Sequence, residues 1–83
     1  MTLDLPKLRW RCRRGMLELD LLLNPFLENK FPQLSHELQE NFILLLDEAD
    51  PDIYNWLLEA EIPPKILQPI VDCLRDYHKH FTT

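Results

Sequence analysis

The sequence predicts an all-α protein, a compact bundle of about five short helices in a single domain spanning residues 1–83. Apolar residues recur every three to four positions along most of the chain, which is typical of amphipathic helices. No segment of strand length alternates strictly between apolar and polar residues, and no Asn-Gly hairpin signal occurs. A chain of 83 residues buries roughly 60% of its unfolded surface, which suffices for one core without metal or disulfide support.

The first helix is expected to end at the only glycine of the chain. Asp4 is placed to cap this helix, and Pro6 falls in its opening turn, where a missing N–H costs nothing. Gly15 is expected to end it in the left-handed conformation, which glycine adopts at the lowest cost. The inner face consists of Leu5, Leu8 and Cys12.

The second helix starts at about Met16, and its apolar residues nearly encircle the axis. This pattern predicts the central helix of the bundle. Pro25 lies inside the pattern and is expected to kink the helix or break it in two, because proline lacks a backbone donor and its ring clashes one turn back.

Three further helices follow, separated by proline-containing turns. After the turn FPQL, Ser35 is expected to cap a third helix that ends near Asp47, with an inner face of Leu38, Phe42, Leu45 and Leu46. Asp50 is expected to cap the fourth helix, with Pro51 at its first helical position and an apolar stripe of Ile53, Trp56, Leu57 and Ala60. Pro69 indicates a separate or distorted first turn in the last helix, whose inner face is predicted to comprise Ile66, Ile70, Cys73, Leu74, Tyr77 and Phe81.

Charge is distributed unevenly along the chain, whose net charge is −5. The segment from residue 16 to residue 64 contains eleven acidic residues and one Lys or Arg, Lys30. Such asymmetry indicates two surfaces in different environments, or one basic patch that docks on a partner. The acidic remainder argues against nucleic-acid binding. Five of the nine basic residues lie within eight positions: Lys7, Arg9, Arg11, Arg13 and Arg14.

Several function classes lack support in the residues. Cys12 and Cys73 form neither a CxxC pair nor a disulfide framework, so they are expected to be reduced thiols of a cytoplasmic protein. The two histidines of YHKHF are two positions apart and point to different sides of a helix, so no metal site is expected there. No apolar run is long enough for a membrane span, and the N-terminus has no secretory h-region. No P-loop or catalytic set is present, which argues against an enzyme.

Helical projection of the first helix places Trp10 opposite the apolar face, between Arg13 and Arg14. An indole among cations on an outward face is typical of a docking surface. The alternative is that Trp10 packs beneath another helix and the arginines extend over it. Glu18 lies in the first turn of the second helix, where the helix dipole alone would explain an acidic residue. The turn at Gly15 is also expected to bring Arg14 beside Glu18.

The segments WRCRRGMLELD and DPDIYNWL resemble those of the small assembly factors that promote covalent FAD attachment to the succinate dehydrogenase flavoprotein (the bacterial SdhE type). The Arg-Gly-x-x-Glu signature of that family matches Arg14, Gly15 and Glu18, and the second motif falls on residues 50–57. The resemblance covers roughly residues 7–80. It implies a partner-binding surface that we assign to Trp10, Arg11, Arg13, Arg14, Gly15, Met16, Glu18 and Asp20.

The resemblance also implies a client, namely the flavoprotein subunit of succinate dehydrogenase and, in some bacteria, of fumarate reductase. The client would carry the FAD, and this chain, a monomer when free, would bind none itself. Gly15 would permit a tight turn and close approach, while Arg14 and Glu18 would hold the client's conformation. Proton transfer by Glu18 is the less favoured alternative. The competing interpretation is a small helical interaction module or regulator with a basic docking helix and no connection to flavin.

Overall fold

The computed structural model of the chain describes residues 5–81, with side chains through Lys79. These residues contain five α-helices, two 3₁₀ turns and no strand, which confirms the predicted all-α bundle. The α-helices are α1 (Leu5–Arg11), α2 (Leu17–Asn29), α3 (His36–Leu45), α4 (Asp50–Leu57) and α5 (Gln68–Phe81), and the 3₁₀ turns are Phe31–Gln33 and Lys65–Leu67. Within this part of the chain no helix has the length and apolar character needed to cross a membrane.

The core lies where α2, α3 and α5 meet. The ring of Phe26 on α2 is 5.3 Å from that of Phe42 on α3, and it meets Tyr77 on α5 edge-on at the same centroid distance. Phe42 in turn lies 5.4 Å from Phe31. Each such aromatic pair contributes about 0.5–1.5 kcal/mol beyond its buried area. Helix α2 supplies five buried residues, as its predicted central position requires: Leu19, Leu22, Leu23, Phe26 and Leu27.

The first helix is shorter than predicted, because α1 ends at Arg11 and not at Gly15. Cys12 is buried as predicted, but it follows the helix, and Leu5 is exposed rather than part of the inner face. Gly15 does not adopt the left-handed conformation. Hydrogen bonds from Arg14 to other segments, described below, hold this turn in place of a glycine C-cap. The predicted cap, Asp4, lies outside the described residues.

Pro25 lies within a continuous α2, so the predicted break in two does not occur. A proline inside a helix deprives the carbonyl four residues earlier of its partner. Here that carbonyl belongs to Leu21, which is exposed. Water can therefore satisfy it, and the helix continues through the proline.

Capping of α3 is as predicted and that of α4 is not. The Leu38 N–H donates to the Ser35 hydroxyl at 3.3 Å, which confirms Ser35 as the cap of α3. The cap position of α4 is Ala49, and Asp50 is the first helical residue. The Asp50 carboxylate does not cap its own helix, because it accepts hydrogen bonds from the α1–α2 turn instead.

The ends of α4 and α5 also differ from the predicted stripes. Ala60 lies beyond α4 and is exposed, since the chain reverses at Glu59, whose φ is 63°. The 3₁₀ turn before α5 confirms the separate first turn that Pro69 indicated. A 3₁₀ turn advances each residue by a larger angle than an α-helix does, so Leu67 is buried and Ile66 is exposed. The side chain of Phe81 lies outside the described part.

Candidate functional site

Most of the predicted site residues lie on or beside residues 12–16, which join α1 to α2 and which we call the interhelix turn. Two carboxylates hold consecutive backbone N–H groups of this turn. The Arg14 N–H donates to Asp20 on α2, and the Gly15 N–H donates to Oδ2 of Asp50 at 3.1 Å. Asp20 therefore stabilises the turn from its own helix, and Asp50 does so from the start of α4.

The Arg14 side chain is directed into the protein. Its Nε donates to Oδ1 of Asp50 at 2.6 Å. Its two terminal nitrogens donate to the backbone carbonyls of Arg11 at 3.1 Å, Leu46 at 2.9 Å and Glu48 at 2.6 Å. Arg14 thus joins the interhelix turn to the α3–α4 connection. The carboxylate partner of Arg14 is therefore Asp50 and not the expected neighbour, Glu18.

Two more of the arginines clustered between residues 9 and 14 are paired within the protein. Arg11 forms an ion pair with Asp47, and Arg9 donates to Glu28 at 2.5 Å. The hydrogen bond from Arg9 lowers the pKa of Glu28. Together with Arg14, three of the four arginines between residues 9 and 14 have internal carboxylate partners. The surface is therefore less basic than the sequence suggests.

Trp10 and Arg13 form an exposed pair. The Trp10 side chain is 72% exposed, so the alternative of packing beneath another helix is wrong. The guanidinium carbon of Arg13 lies 5.7 Å from the indole centroid, a cation–π contact that contributes about 0.5–1 kcal/mol at an exposed site. An open apolar groove runs along Trp10 beside Pro6 and Lys7. An amphipathic aromatic ring of this kind is a typical interface anchor.

Glu18 is exposed and makes no hydrogen bond or ion pair with any residue between positions 5 and 81. It lies at an apolar cleft of about 50 Å³ between α2, α4 and α5. The helical period places Leu17 and Leu21, both exposed, on the same side of α2. A carboxylate without an internal partner beside apolar surface provides a charged hydrogen-bond acceptor for a partner. The other residues of the cleft are Leu19, Leu22, Tyr54, Leu57, Leu58 and His78.

Nothing in the fold requires glycine at position 15. Its φ is not positive, and a Cβ built there would lie 3.9 Å from Oδ2 of Asp50, an ordinary van der Waals distance. Gly15 is also exposed. The space that the missing side chain leaves is therefore open to a partner.

The two cysteines are not activated thiols. Burial raises the pKa of the Cys12 thiol to about 11, so the thiol is protonated at neutral pH. Burial likewise raises the pKa of Cys73. Over residues 5–81 no group of three His, Cys, Asp or Glu side chains is arranged to hold a metal ion.

A family model described as flavinator of succinate dehydrogenase matches residues 6–78. This chain belongs to that family. The FAD assembly factor SdhE of Coxiella burnetii is 58% identical over 57 residues, which cover 69% of this chain and 70% of that protein. The proteins of the same name from Legionella pneumophila (strain Paris) and Shewanella oneidensis are 46% identical over 70 residues and 44% over 62. These alignments cover 84% and 75% of this chain, and 89% and 76% of those proteins.

The flavinator family predicted from the two motifs is thereby confirmed, and the structure divides the predicted site residues into two groups. Trp10, Arg13, Gly15 and Glu18 are exposed, whereas Arg11, Arg14, Met16 and Asp20 are partly buried. Met16 packs against the core. Leu17, Leu21 and the cleft residues of α4 and α5 were not predicted. The spacing of Leu17 and Leu21 on either side of Glu18 was a usable signal for an exposed apolar surface.

Proposed function

We propose that this chain is an assembly factor that binds the flavoprotein subunit of succinate dehydrogenase and promotes covalent attachment of FAD to it. The proposal is supported by membership of the flavinator family. The observation that carries it to particular residues is the exposure of Gly15 and Glu18. A glycine that the fold does not need lies three positions before a carboxylate that has no internal partner and lines an apolar cleft.

The FAD belongs to the client in this proposal, and the chain supplies binding and orientation. The cleft beside Glu18 measures about 50 Å³, whereas sites for ligands of drug size measure roughly 300–1,000 Å³. The cleft has room for part of a protruding partner side chain and not for a flavin. Orienting two reacting groups lowers the barrier of their reaction without any nucleophile from the helper. The chain therefore acts as a binding partner and not as an enzyme.

Each exposed residue has a defined part in this contact. Gly15 lets the client backbone approach closely, and Glu18 accepts hydrogen bonds from the client beside it. The Trp10–Arg13 pair supplies an aromatic anchor at the end of α1. The flavoprotein of fumarate reductase is a second client of the same kind. The free chain is a cytoplasmic monomer and does not bind nucleic acid.

The test measures covalent flavin on the client after acid denaturation, in cells that lack this protein and in cells that regain it as wild type or variant. We expect covalent flavin to fall without the protein and to return with wild type but not with Glu18→Ala. Glu37→Ala is the matched control, because Glu37 is also an exposed acid in the first turn of a helix, α3. It should restore flavin fully.

Glu18→Gln separates contact from proton transfer. Glutamine still accepts hydrogen bonds but cannot act as a base, so the contact role predicts more covalent flavin with Glu18→Gln than with Glu18→Ala. If Glu18→Gln binds the client normally and yields no covalent flavin, Glu18 transfers a proton. Unchanged covalent flavin in cells lacking the protein would refute the proposed function. The chain would then be a helical interaction module with another partner.

A further inference from the structure

We propose that Arg14 and Asp50 position the interhelix turn for the client and do not themselves contact it. This inference rests on the proposed function and assigns a role to the second motif, DPDIYNWL, which begins at Asp50. We call the Arg14 guanidinium, the Asp50 carboxylate and the Gly15 N–H bound to that carboxylate the Arg14 clamp. Through the clamp, the two sequence motifs form one structural unit.

The Arg14 side chain has almost no capacity left for a partner. A guanidinium has five N–H donors, and four of them are used inside the protein. Only 13% of the side chain is exposed. Apart from the one remaining N–H, a client contact through this group would have to break its bonds to Asp50 or to the backbone carbonyls of residues 11, 46 and 48, and leaving buried charged groups unpaired is costly. A positioning role requires no such loss.

The Asp50 carboxylate connects the side chain of one residue to the backbone of the next. Its Oδ1 accepts from Arg14 Nε and its Oδ2 accepts from the Gly15 N–H at 3.1 Å. A carboxylate held on one side by the guanidinium is fixed in orientation, so its second oxygen fixes the position of the Gly15 backbone. The exposed backbone at which the client would approach is thus held from the start of α4.

The clamp also sets the two walls of the cleft beside Glu18. Arg14 and Gly15 lie two to three positions before α2, which carries Glu18, and Asp50 begins α4, which carries Tyr54 and Leu57. A bond between the starts of the two helices fixes their separation at this end. Loss of the clamp should therefore disturb both the turn and the cleft, although the helices themselves remain.

The experiment compares Arg14→Lys, Asp50→Asn and the double variant in the full chain. Lysine keeps the charge but cannot form the fork of hydrogen bonds, and asparagine keeps the size but loses the charge. Two quantities are measured: the dissociation constant for the apo-flavoprotein subunit, and the hydrogen-exchange rate of the Gly15 amide in the absence of client. Asn41→Ala is the control, because Asn41 is also buried and its bonds to the Ile66 carbonyl and the Ile70 N–H lie away from both the turn and the cleft.

We expect each single variant to weaken client binding about tenfold and to accelerate Gly15 exchange by about the same factor, as loss of a charge-assisted hydrogen bond implies. The double variant should bind the client no more weakly than the single variant with the larger effect. Each substitution breaks the same Arg14 clamp, so their effects should not add. Asn41→Ala should lower the melting temperature and leave both quantities unchanged. This control separates a specific effect on the turn from general destabilisation.

The proposal is overturned if Arg14→Lys weakens client binding while the Gly15 amide exchanges at the wild-type rate, because Arg14 would then contact the client directly. The proposal is also overturned if Asp50→Asn binds the client as tightly as wild type does. It is overturned equally if the fold-loss of binding in the double variant is the product of the two single losses. Failure of the wild-type chain to bind the flavoprotein refutes the proposed function instead. The Gly15 exchange rates decide whether the clamp exists, whatever the client does.

Discussion

Replacing Gly15 by alanine should separate the stability of this protein from its function. The backbone at Gly15 has no positive φ, and the added methyl carbon would lie 3.9 Å from the nearest atom outside the adjacent residues, Oδ2 of Asp50. Alanine therefore fits without strain. Because alanine restricts the unfolded chain more than glycine does, the free energy of unfolding should rise by about 0.4–1 kcal/mol. The melting temperature of a domain this size should then rise by roughly 2–8 °C.

Client binding should change in the opposite direction. A methyl group added where two surfaces pack closely costs about 1–3 kcal/mol, which corresponds to binding weakened roughly 5- to 150-fold. The assay pairs urea unfolding of Gly15→Ala with titration of the variant into the apo-flavoprotein subunit. The reasoning predicts a more stable protein that binds more weakly.

Two results would refute this reasoning in different ways. A fall in the free energy of unfolding by more than about 1 kcal/mol would show that the fold itself requires glycine at position 15. Unchanged client binding, together with the expected gain in stability, would show that the open space at Gly15 is not used for close approach. In that case Glu18 and the cleft would remain as the candidate contact.

Three further predictions concern the fold. Glu59→Gly should raise the free energy of unfolding by roughly 0.5 kcal/mol in a denaturant titration, because Glu59 has φ 63° and glycine avoids the left-handed penalty; a fall would contradict this. The pKa of Cys12 is raised to about 11, so the unfolded state loses its thiol proton first, and the free energy of unfolding should decline between about pH 9 and pH 11; Cys12→Ala should show a smaller decline, because Cys73, whose pKa is also raised, still contributes to it. Asn41→Ala should cost about 1–3 kcal/mol, since it leaves the buried N–H of Ile70 unpaired, whereas Gln39→Ala, which removes one partly buried bond, should cost less.

Features that depend on neighbouring residues were predictable from the sequence. Ser35 caps α3 through the N–H of Leu38, three positions away, and the 3.6-residue period identified Phe42, Leu45 and Leu46 as buried. The outward direction of Trp10 also followed from helical projection, and its exposure confirms it. Each of these features is set within one or two helical turns, so a short window of sequence contains the information.

The errors at Asp50 and Gly15 occurred because these residues have their hydrogen-bond partners in another segment. Asp50 precedes a proline and resembles a helix cap, and Gly15 follows a helical pattern and resembles a C-terminal stop. Both expectations weighed only local alternatives. The structure joins these two residues to each other across 35 positions, because the carboxylate gains more from the Arg14 guanidinium and the Gly15 N–H than from its own helix end.

The sequence alone determined the helical class, the order of the five helices, the two motifs and, through them, the family. These follow from residue types and short spacings. Only the tertiary structure decided which of the clustered charges are paired within the protein and which lie exposed. Arginines 11, 13 and 14 are alike in a sequence, but Arg11 and Arg14 lie against Asp47 and Asp50, whereas Arg13 lies over an exposed indole. Ion pairs between distant segments depend on how helices pack, and a short window of sequence does not determine that packing.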